Sequence, residues 1–358
     1  MLALGFVAAL TAQVYHLDIE VGGKVEIYPD FVRSSPRVDA AVVGLGKSAV
    51  FWPGKQRIWA KGDTFYKARW SPDGSQVALF GFERVTVYSW PDLKKVRELE
   101  AIAVWWDRGQ LCWSGKRDAM NADPKNQTLW RGNRRTLVPS RFTITDADET
   151  GRMLLVEYWS PNRKSFYDDG YQIVVESDGK GSFLRKRWLG YGGRPDMHGT
   201  NAIAADPKTK NAFVTVDVSG SPTWFGVYSN RKSSGLARLV RDAKPALKAI
   251  LQANAGYRKA PEKYKLDGAL DYVSNHARLE GNKAFVEFSP SLRYSVGDLT
   301  SYVGWYEVGL FDVETHRFRR LRRYDLHAPY ACDYLRGKLI TANDKDGQLV
   351  IRIEGYLG

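Results

Sequence analysis

The chain has 358 residues, of which 44% are hydrophobic and 13% aromatic, a composition that excludes an intrinsically disordered protein and supports a large core. Its formal net charge of +13 predicts attraction to anionic partners without choosing between protein, acidic glycan, phospholipid and nucleic acid. The two cysteines, Cys112 and Cys332, lie far apart in apolar, strand-like segments. We therefore expect buried free thiols rather than a disulfide.

The first twelve residues form an apolar segment that is too short to cross a bilayer. It ends in small residues and resembles the hydrophobic region of a secretory signal with cleavage near Ala12. Against this, no Lys or Arg precedes it and Leu10 is large for its position, so an apolar first strand is the alternative. We predict a signal peptide over 1–12, one domain over 14–358, and a secreted or periplasmic protein, with the cytoplasm as the alternative. No other segment could span a membrane.

Apolar strand-like segments separated by tight turns then follow one another along the chain. The clearest unit covers residues 65–98, in which YKARW, the turn Ser71-Pro72-Asp73-Gly74 and QVALFG precede two further strands, VTVYSW and KKVREL. Looser copies cover residues 42–61, 101–138, 142–189, 202–241, 272–324 and 331–356. The spacing of roughly 45–50 residues is close to that of propeller blades, which bury their faces against neighbouring blades.

The units predict an all-β fold, a β-propeller with seven blades of four-stranded antiparallel sheets; six or eight blades are the alternatives. The last unit lacks one strand, whereas residues 17–28 (LDIEVGGKVEIY) precede the first unit. We expect this N-terminal strand to pair into the last blade, because closure of the ring removes exposed sheet edges. Residues 242–256 break the strand pattern and predict a short helical insertion, with Asp242 as N-cap and Gly256 as stop.

The segment from Trp70 to Gly74 with the following QVALFG resembles the WSPDG-x-x-[IV]-A-[FL] repeat of TolB-type WD40-like propellers. Residues 198–216 look like the related YVTN-type repeat, in which an Asp-Pro turn precedes a strand. The resemblance implies a propeller and brings no catalytic residue with it. Such families are mainly protein-binding platforms of the bacterial envelope, with some enzymes among their relatives.

Two patterns bear on metal binding. Asp146, Asp148 and Glu157 come close to the spacing of an EF-hand calcium loop, but strands flank them and Thr150 replaces an acidic ligand, which favours a simple acidic turn. Three histidines near the starts of successive units could converge at the axis, although their unequal offsets favour ordinary hydrogen-bonded side chains; they are His198, His276 and His327. We therefore predict no cofactor and treat the calcium loop as the weak alternative.

Long loops between the second and third strands of three successive units predict a binding face. These loops cover residues 160–170, 219–223 and 289–304, and the connection 190–201 emerges on the same face. Function on rigid scaffolds is concentrated in such loops, and aromatic and arginine side chains dominate binding energies. The candidate binding residues are Tyr167, Asp168, Asp169, Arg194, His198, Trp224, Arg293 and Tyr294. Basic residues also recur in the last strands, which indicates either protected sheet edges or a belt for an anionic partner.

These observations favour a monomeric, non-catalytic scaffold that binds a protein or acidic glycan at this face, with nucleic acid less favoured. The alternative is a propeller enzyme, a lyase or lactonase acting on an anionic sugar or organic acid. In that case Arg194 and Arg293 would hold the carboxylate while His198 or an Asp moves the proton. No Gly-x-Ser-x-Gly, His-Glu-x-x-His or Cys-x-x-Cys motif occurs, so the usual hydrolase, metalloprotease and redox signatures are missing.

Overall fold

A computed structural model describes residues 13–17, 29–54, 56–115, 127–138, 142–159, 170–177, 183–192, 202–206, 209, 211–218, 221–229, 232–235, 264–265, 270–271, 277–296, 299–315, 317–325, 330–345 and 348–355. Within these ranges the regular elements are thirty β-strands. None of the described residues belongs to a helix that could cross a bilayer. The predicted signal peptide (1–12) and helical insertion (242–256) lie outside the described residues.

The strands form seven antiparallel sheets, numbered here in chain order of their inner strands, and six of them have four strands. Sheet 1 contains β2 Phe31–Ser34, β3 Ala41–Leu45, β4 Ser48–Trp52 and β5 Gln56–Trp59. Sheet 2 contains β6 Phe65–Trp70, β7 Gln76–Gly81, β8 Val85–Ser89 and β9 Lys95–Leu99. Sheet 3 contains β10 Ala101–Asp107, β11 Gln110–Gly115, β12 Thr128–Arg131 and β13 Arg134–Leu137. Sheet 4 contains β14 Phe142–Ala147, β15 Met153–Trp159, β16 Gly170–Ser177 and β17 Phe183–Gly192.

Sheet 5 contains β18 Ala202–Ala205, β19 Ala212–Val218, β20 Ser221–Ser229 and β21 Lys232–Gly235. Sheet 6 contains the short strands β22 Tyr264–Lys265, β23 Leu270–Asp271 and β24 Arg278–Glu280, and the long strands β25 Lys283–Val296, β26 Leu299–Asp312 and β27 Phe318–Asp325. Sheet 7 contains β28 Tyr330–Leu335, β29 Lys338–Lys345, β30 Gln348–Gly355 and the N-terminal β1 Gln13–Leu17. The prediction of four strands in every sheet was therefore wrong for sheet 6, which has six.

The inner strands of neighbouring sheets meet around one axis. β28 contacts β2, and β2 contacts β6. Further contacts run from β10 through β14, β18 and β24 back to β28. Between β6 and β10, Arg69 Nη1 donates a hydrogen bond of 2.8 Å to the Val104 carbonyl. This ring of radially arranged antiparallel sheets is a β-propeller, as predicted.

The first and last strands close the ring within one sheet. β1 pairs antiparallel with β30, from Gln13 opposite Ile353 to Leu17 opposite Leu349. The predicted closure by an N-terminal strand is confirmed, but the pairing strand is Gln13–Leu17 and shares only Leu17 with the predicted strand at 17–28. Residues 18–28 lie outside the described part of the chain. This pairing removes the free edge that a three-stranded sheet 7 would otherwise present to other chains.

Two predicted loops are strands. In sheet 6, β25 and β26 continue through the segment expected to be a loop, with Ser291 opposite Gly304 and Val296 opposite Leu299. Cross-strand pairs of large and β-branched side chains support such a hairpin, whereas Pro290 and the glycines suggest a loop. In sheet 5, residues 221–223 belong to β20, and Val218 pairs with Ser221. These connections are therefore shorter than the sequence suggested.

The Ser-Pro-Asp-Gly turn of sheet 2 is confirmed in detail. Ser71 Oγ lies 2.5 Å from Asp73 Oδ1, and the same carboxylate accepts a hydrogen bond of 3.1 Å from the Ser75 amide. Gly74 has φ +74°, which L-residues rarely adopt. The adjoining Trp70 is fully buried, and its indole donates to the Arg33 carbonyl at 2.9 Å. This tryptophan therefore ties sheet 2 to sheet 1.

Apolar clusters fill the spaces between neighbouring sheets, which is the packing expected of stacked blades. Such apolar clusters lie between sheets 1 and 2, sheets 2 and 3, sheets 3 and 4, and sheets 7 and 1. Cys112 and Cys332 are both buried free thiols, as predicted. The sequence did not predict β2, whose four residues are all buried, because Arg33 and Ser34 interrupt its apolar pattern.

Candidate functional site

Charged side chains from the inner strands meet at the axis in two hydrogen-bonded clusters. Six of the seven side chains are less than one-tenth exposed, and the seventh is 27% exposed. They are Arg33 of β2, Lys67 and Arg69 of β6, Asp146 of β14, Arg278 of β24, Asp333 of β28, and the more exposed Glu149 after β14. Buried charges require partners, because isolated burial of an ion is very costly.

Asp146 is the centre of the first cluster. Its two carboxylate oxygens each accept a hydrogen bond of 2.9 Å from Arg69 Nη2, and Lys67 Nζ lies 3.1 Å from Oδ1. The Ile203 amide of sheet 5 donates to Oδ2 at 2.9 Å. Burial opposes the charge of Asp146, but Arg69, Lys67 and this amide outweigh it and lower the pKa of the carboxyl below its ordinary value. The cluster therefore links sheets 2, 4 and 5.

Arg278 organises the second cluster. It donates to both oxygens of Asp333, at 2.7 and 3.2 Å, and to the Ser34 carbonyl at 2.9 Å. Glu149 Oε1 lies 3.2 Å from Arg278 Nη1 and 3.2 Å from Arg33 Nη2. Burial would lower the pKa of Arg278, but Asp333 and Glu149 raise it, whereas burial and the neighbouring Arg278 lower the pKa of Arg33 to about 10. This cluster links sheets 1, 4, 6 and 7.

The axis clusters brace the ring. Arg278 holds Asp333 through a two-pronged contact of Nε and Nη2, whereas Arg69 holds Asp146 through Nη2, which donates to both carboxylate oxygens. Charge-assisted contacts of this kind fix the position of a carboxylate and favour its ionised form. A general acid or base needs a proton that it can exchange with a substrate near neutral pH. The structure therefore assigns these two carboxylates a bracing role, one that joins inner strands distant in sequence.

Lys67 is the second cation beside Asp146, since Arg69 contacts the same carboxylate. Burial lowers the pKa of Lys67 from 10.5 to about 8 in the folded protein, and Asp146 offsets only part of this effect. Below pH 8 the buried ammonium costs stability; as the pH rises from 8 to 10.5, the unfolded chain binds more protons and this cost disappears. We expect Lys67→Met to be more stable than the wild type at pH 7, by up to about 3 kcal/mol.

Urea unfolding at a series of pH values tests this expectation. The advantage of Lys67→Met over the wild type should shrink between pH 8 and pH 10.5, while the variant Lys47→Met, at an exposed position of sheet 1, should show no such trend. A constant difference across this range would contradict the assignment of Lys67 as a proton-releasing group in the folded state.

The acidic segment considered as a calcium loop is built differently. Asp146 is enclosed by Arg69 and Lys67, whereas Asp148 accepts hydrogen bonds from Thr150 Oγ1 at 2.6 Å and from the Met153 amide at 2.7 Å. Burial raises the pKa of Asp148. Among the residues that the structure describes, no group of three His, Cys, Asp or Glu side chains is placed to hold a metal ion. Asp146, Asp148 and Glu157 are accordingly not gathered around one point.

A groove opens on the face formed by the turns between first and second strands and between third and fourth strands, called here the turn face. Its cavity volume is about 540 Å³. Hairpin turns of sheets 2, 3 and 4 line it with three arginines, one carboxylate and small or apolar residues. The lining residues are Pro72, Trp106, Asp107, Arg108, Gly109, Arg131, Thr150, Gly151, Arg152 and Ser177. We call this feature the arginine groove.

Arg108 occupies an unusual backbone position in the arginine groove. The two-residue turn between Asp107 and Gln110 has φ +51° at Arg108 and +79° at Gly109, the pattern of a type I′ hairpin. Asn, Asp or Gly normally fills the first position, and the left-handed region costs other residues about 1–2 kcal/mol. Within the turn, Asp107 is also paired with Arg131 of β12.

The residues predicted to form the binding face are described only in part. Trp224 lies in β20 opposite Val216, and Arg293 and Tyr294 lie in β25, opposite Tyr302 and Ser301. The structure thus places Trp224 in sheet 5 and the other two in the sheet 6 hairpin, in strands rather than in the loops expected. Five of the predicted residues lie outside the described part of the chain: Tyr167, Asp168, Asp169, Arg194 and His198.

The predicted basic belt is partly occupied by aromatic contacts. Arg97 of β9 lies over the Trp113 ring at 4.6 Å, and Arg135 of β13 lies over Trp130 at 5.9 Å. The two indoles stack at 5.6 Å, so the four side chains form a ladder across the outer edges of sheets 2 and 3. Cation–π contacts of this kind contribute about 0.5–1 kcal/mol at exposed sites. Here the basic outer strands contribute to packing between sheets.

No protein-family model matches the chain, and no curated protein matches it either. Among solved structures, the chain is similar to one in a mitotic checkpoint complex, at 10% identity and a TM-score of 0.47, over 100% of this chain and 99% of the other. It is also similar to the β-propeller domain of the Trilobed protease from Pyrococcus furiosus, at 11% identity and 0.48, over 92% and 96%.

A third similar structure is the β-propeller domain of Cps50 (Swd1) from Myceliophteria thermophila, at 11% identity and a TM-score of 0.49, over 96% of this chain and 99% of the other. The likeness extends over most of each chain but is distant at these identities. The propeller assignment rests on the order of the sheets and on the ring of inner strands described above.

Proposed function

We propose that this protein is a non-catalytic binding propeller, a rigid scaffold that engages a protein partner through the face opposite the turn face. We call this opposite side, which carries the turns between second and third strands and the connections between sheets, the loop face. The observation that carries the proposal is the long hairpin of sheet 6. β25 and β26 are each 14 residues long, although β27 pairs only with Trp305–Phe311 of β26.

The far half of this hairpin therefore extends beyond β27 on one side. Residues 291–296 pair with residues 299–304, and on the other side Tyr264 and Lys265 of β22 pair with Tyr294 and Arg293. At about 3.3 Å per residue, six residues form an arm about 20 Å long. An arm that carries Arg293 and Tyr294 offers the residue types that dominate protein interfaces.

The braced axis supports a scaffold role for the whole ring. Ion pairs and hydrogen bonds join inner strands that are far apart in sequence, such as the ion pair of Arg278 with Asp333 and the hydrogen bond from Arg278 to the Ser34 carbonyl. Rigid scaffolds bind with little loss of conformational freedom, because their loops are held in place before the partner arrives. The net charge of +13 would accelerate encounter with an acidic partner.

Two further parts of the proposal rest on the sequence alone. The WSPDG-type repeat supports a relationship to the TolB-type propellers of the bacterial envelope, and the apolar segment 1–12 supports export. An acidic glycan is a second partner class that the positive charge would suit. Cell fractionation with N-terminal sequencing of the mature protein tests the location, since a protein that retains Met1 in the cytoplasm would contradict it.

We expect the double variant Trp224→Ala, Arg293→Ala to lose binding of the partner captured by the wild-type protein. Each hot-spot truncation of about 2 kcal/mol would weaken binding about thirtyfold, and the two together by up to about a thousandfold. The partner is first identified by affinity capture from the native source, and the dissociation constant is then measured by calorimetry with purified proteins. Melting temperatures of both proteins are compared to exclude unfolding.

The matched control removes one tryptophan and one arginine elsewhere. Trp59 is 60% exposed on the outer strand of sheet 1, and Arg317 is exposed in sheet 6. The variant Trp59→Ala, Arg317→Ala should bind the partner as the wild type does. Equal binding by the Trp224 and Arg293 variant would rule out the loop face as the binding surface.

A further inference from the structure

The arginine groove is separate from the loop face, because it is lined by turns on the opposite side of the propeller. Three guanidinium groups line it against one carboxylate, that of Asp107. Arg131 is paired with Asp107, and its side chain is 35% exposed. Arg108 and Arg152 are both exposed, so the groove presents more positive charge than its own carboxylate can match.

Arg108 stands out when it is compared with Arg336. Arg336 has the same backbone conformation, φ +51°, in the equivalent two-residue turn of sheet 7. There the guanidinium donates to the Ser35 carbonyl at 3.2 Å, and the Arg336 amide donates to Glu280 at 2.7 Å. Its unfavourable conformation is thus offset by contacts with neighbouring sheets.

Arg108 has no comparable compensation in the described part of the chain. Its side chain is 90% exposed, and its ion pair is with the adjacent Asp107 at 4.0 Å, the limit of such a contact. The backbone conformation at Arg108 favours Asn or Gly, and the Arg108 side chain contributes little to the stability of the fold. An arginine at this position therefore indicates a role other than stabilising the fold. The turn directs this guanidinium to the rim of a groove, where an anionic ligand could reach it.

Arg152 completes the arrangement from sheet 4. It follows Gly151, whose added Cβ would lie 2.1 Å from the Trp105 ring, so the turn packs closely on sheet 3. No carboxylate among the described residues forms an ion pair with Arg152, which is exposed at the groove. Pro72 and the edge of Trp106 supply apolar surface between the arginines.

We propose that the arginine groove binds a carboxylate-rich segment of a partner protein, with Arg108 and Arg152 as the principal anchors. Forked guanidinium groups recognise carboxylates through paired, charge-assisted hydrogen bonds, which is a recurrent way of binding acidic motifs. The open groove of about 540 Å³ has room for a few side chains, and its apolar surface can cover the stems of Glu residues. This inference adds a second binding surface and does not depend on the loop face.

The test uses the full chain and a fluorescein-labelled hexaglutamate peptide, with binding followed by fluorescence anisotropy at low and physiological salt. We expect the double variant Arg108→Asn, Arg152→Ala to weaken binding by about tenfold or more, since charge-assisted hydrogen bonds are lost. Asn tolerates the left-handed conformation, so Arg108→Asn alone should keep or raise the melting temperature while it weakens binding. A loss of affinity without a loss of stability separates a ligand contact from a structural role.

The matched control, Arg317→Asn with Arg320→Ala, removes the same two charges from exposed positions of sheet 6 outside the groove. It should change the affinity by less than about threefold, as expected for long-range charge in salt. Equal weakening by both double variants would overturn the proposal, since the positive field alone would then explain binding. Absence of binding by the wild type, or displacement of the peptide by equimolar citrate, would also overturn it.

Discussion

Replacement of Asp146 by Asn is expected to lower the free energy of unfolding by about 3–5 kcal/mol. The carboxylate is fully buried and satisfies Arg69, Lys67 and the Ile203 amide at once. An amide of the same size cannot balance two cations, so both would lose the opposing charge of this carboxylate. The loss is measured by urea unfolding at pH 7, and it would be a large part of the stability of a typical domain.

Two comparisons make this result specific to the axis. Asp92 forms an exposed ion pair with Lys94 at 3.9 Å, and Asp92→Asn should leave the unfolding midpoint unchanged, because surface pairs contribute little. The double variant Asp146→Asn, Lys67→Met should recover part of the lost stability, because it removes one of the two buried cations. If Asp146→Asn unfolds at the same urea concentration as the wild type, the bracing role of this cluster is wrong.

Arg278→Met is expected to destabilise the ring by a similar amount, about 3–5 kcal/mol, because it removes the ion pair that Arg278 forms with the buried Asp333. Asp333 has no exposed side-chain surface, and it also accepts a hydrogen bond of 2.6 Å from the Ser34 amide. Arg278 further bridges to the Ser34 carbonyl, which is 244 positions away in the chain. The substitution should therefore lower the local stability at the junction of sheets 1, 6 and 7 by more than it lowers the global stability.

Native-state hydrogen exchange distinguishes this local effect. We expect the amides of β2 and β28 to exchange faster in Arg278→Met, while those of β11, in sheet 3, change only with the global stability. Lys338→Met serves as the control in sheet 7, since the Lys338 side chain is 53% exposed and its ammonium lies 3.8 Å from the Asp39 carboxylate. A uniform acceleration of all sheets would contradict a local brace at this junction.

The calcium interpretation of Asp146 illustrates how one residue can be singled out for the wrong partner. The sequence shows that Asp146 is an acidic residue at the end of a strand, and the spacing to Asp148 and Glu157 resembles a metal loop. The structure places two basic side chains of sheet 2 against it instead. Several units carry a charged residue near the end of their first strand. This recurrence was the signal in the sequence that could have indicated a polar axis.

The loop at 289–304 illustrates the opposite case, in which local signals were misread. Pro290 and the nearby glycines predict irregular backbone, yet Leu292, Tyr294 and Val296 recur at every second position as in a strand. Pairing with residues 299–304 outweighed the local preference, because each added residue pair gains hydrogen bonds and cross-strand contacts. Strand formation depends on such partners more than helix formation does.

The sequence by itself determined the class of fold, the tight turns such as Ser71–Gly74, the sheet-by-sheet repetition and the closure by an N-terminal strand. The turns and the repeated strands are local features, since a turn depends on a few residues with particular backbone angles and a strand on alternating apolar side chains. The closure followed from the repeat, because the last unit lacked one strand and an extra strand preceded the first. Only the tertiary structure decided which charges meet at the axis and which turns enclose the arginine groove. Arg33, Glu149 and Arg278 lie more than one hundred positions apart, and only the circular order of the sheets brings them within reach of one another.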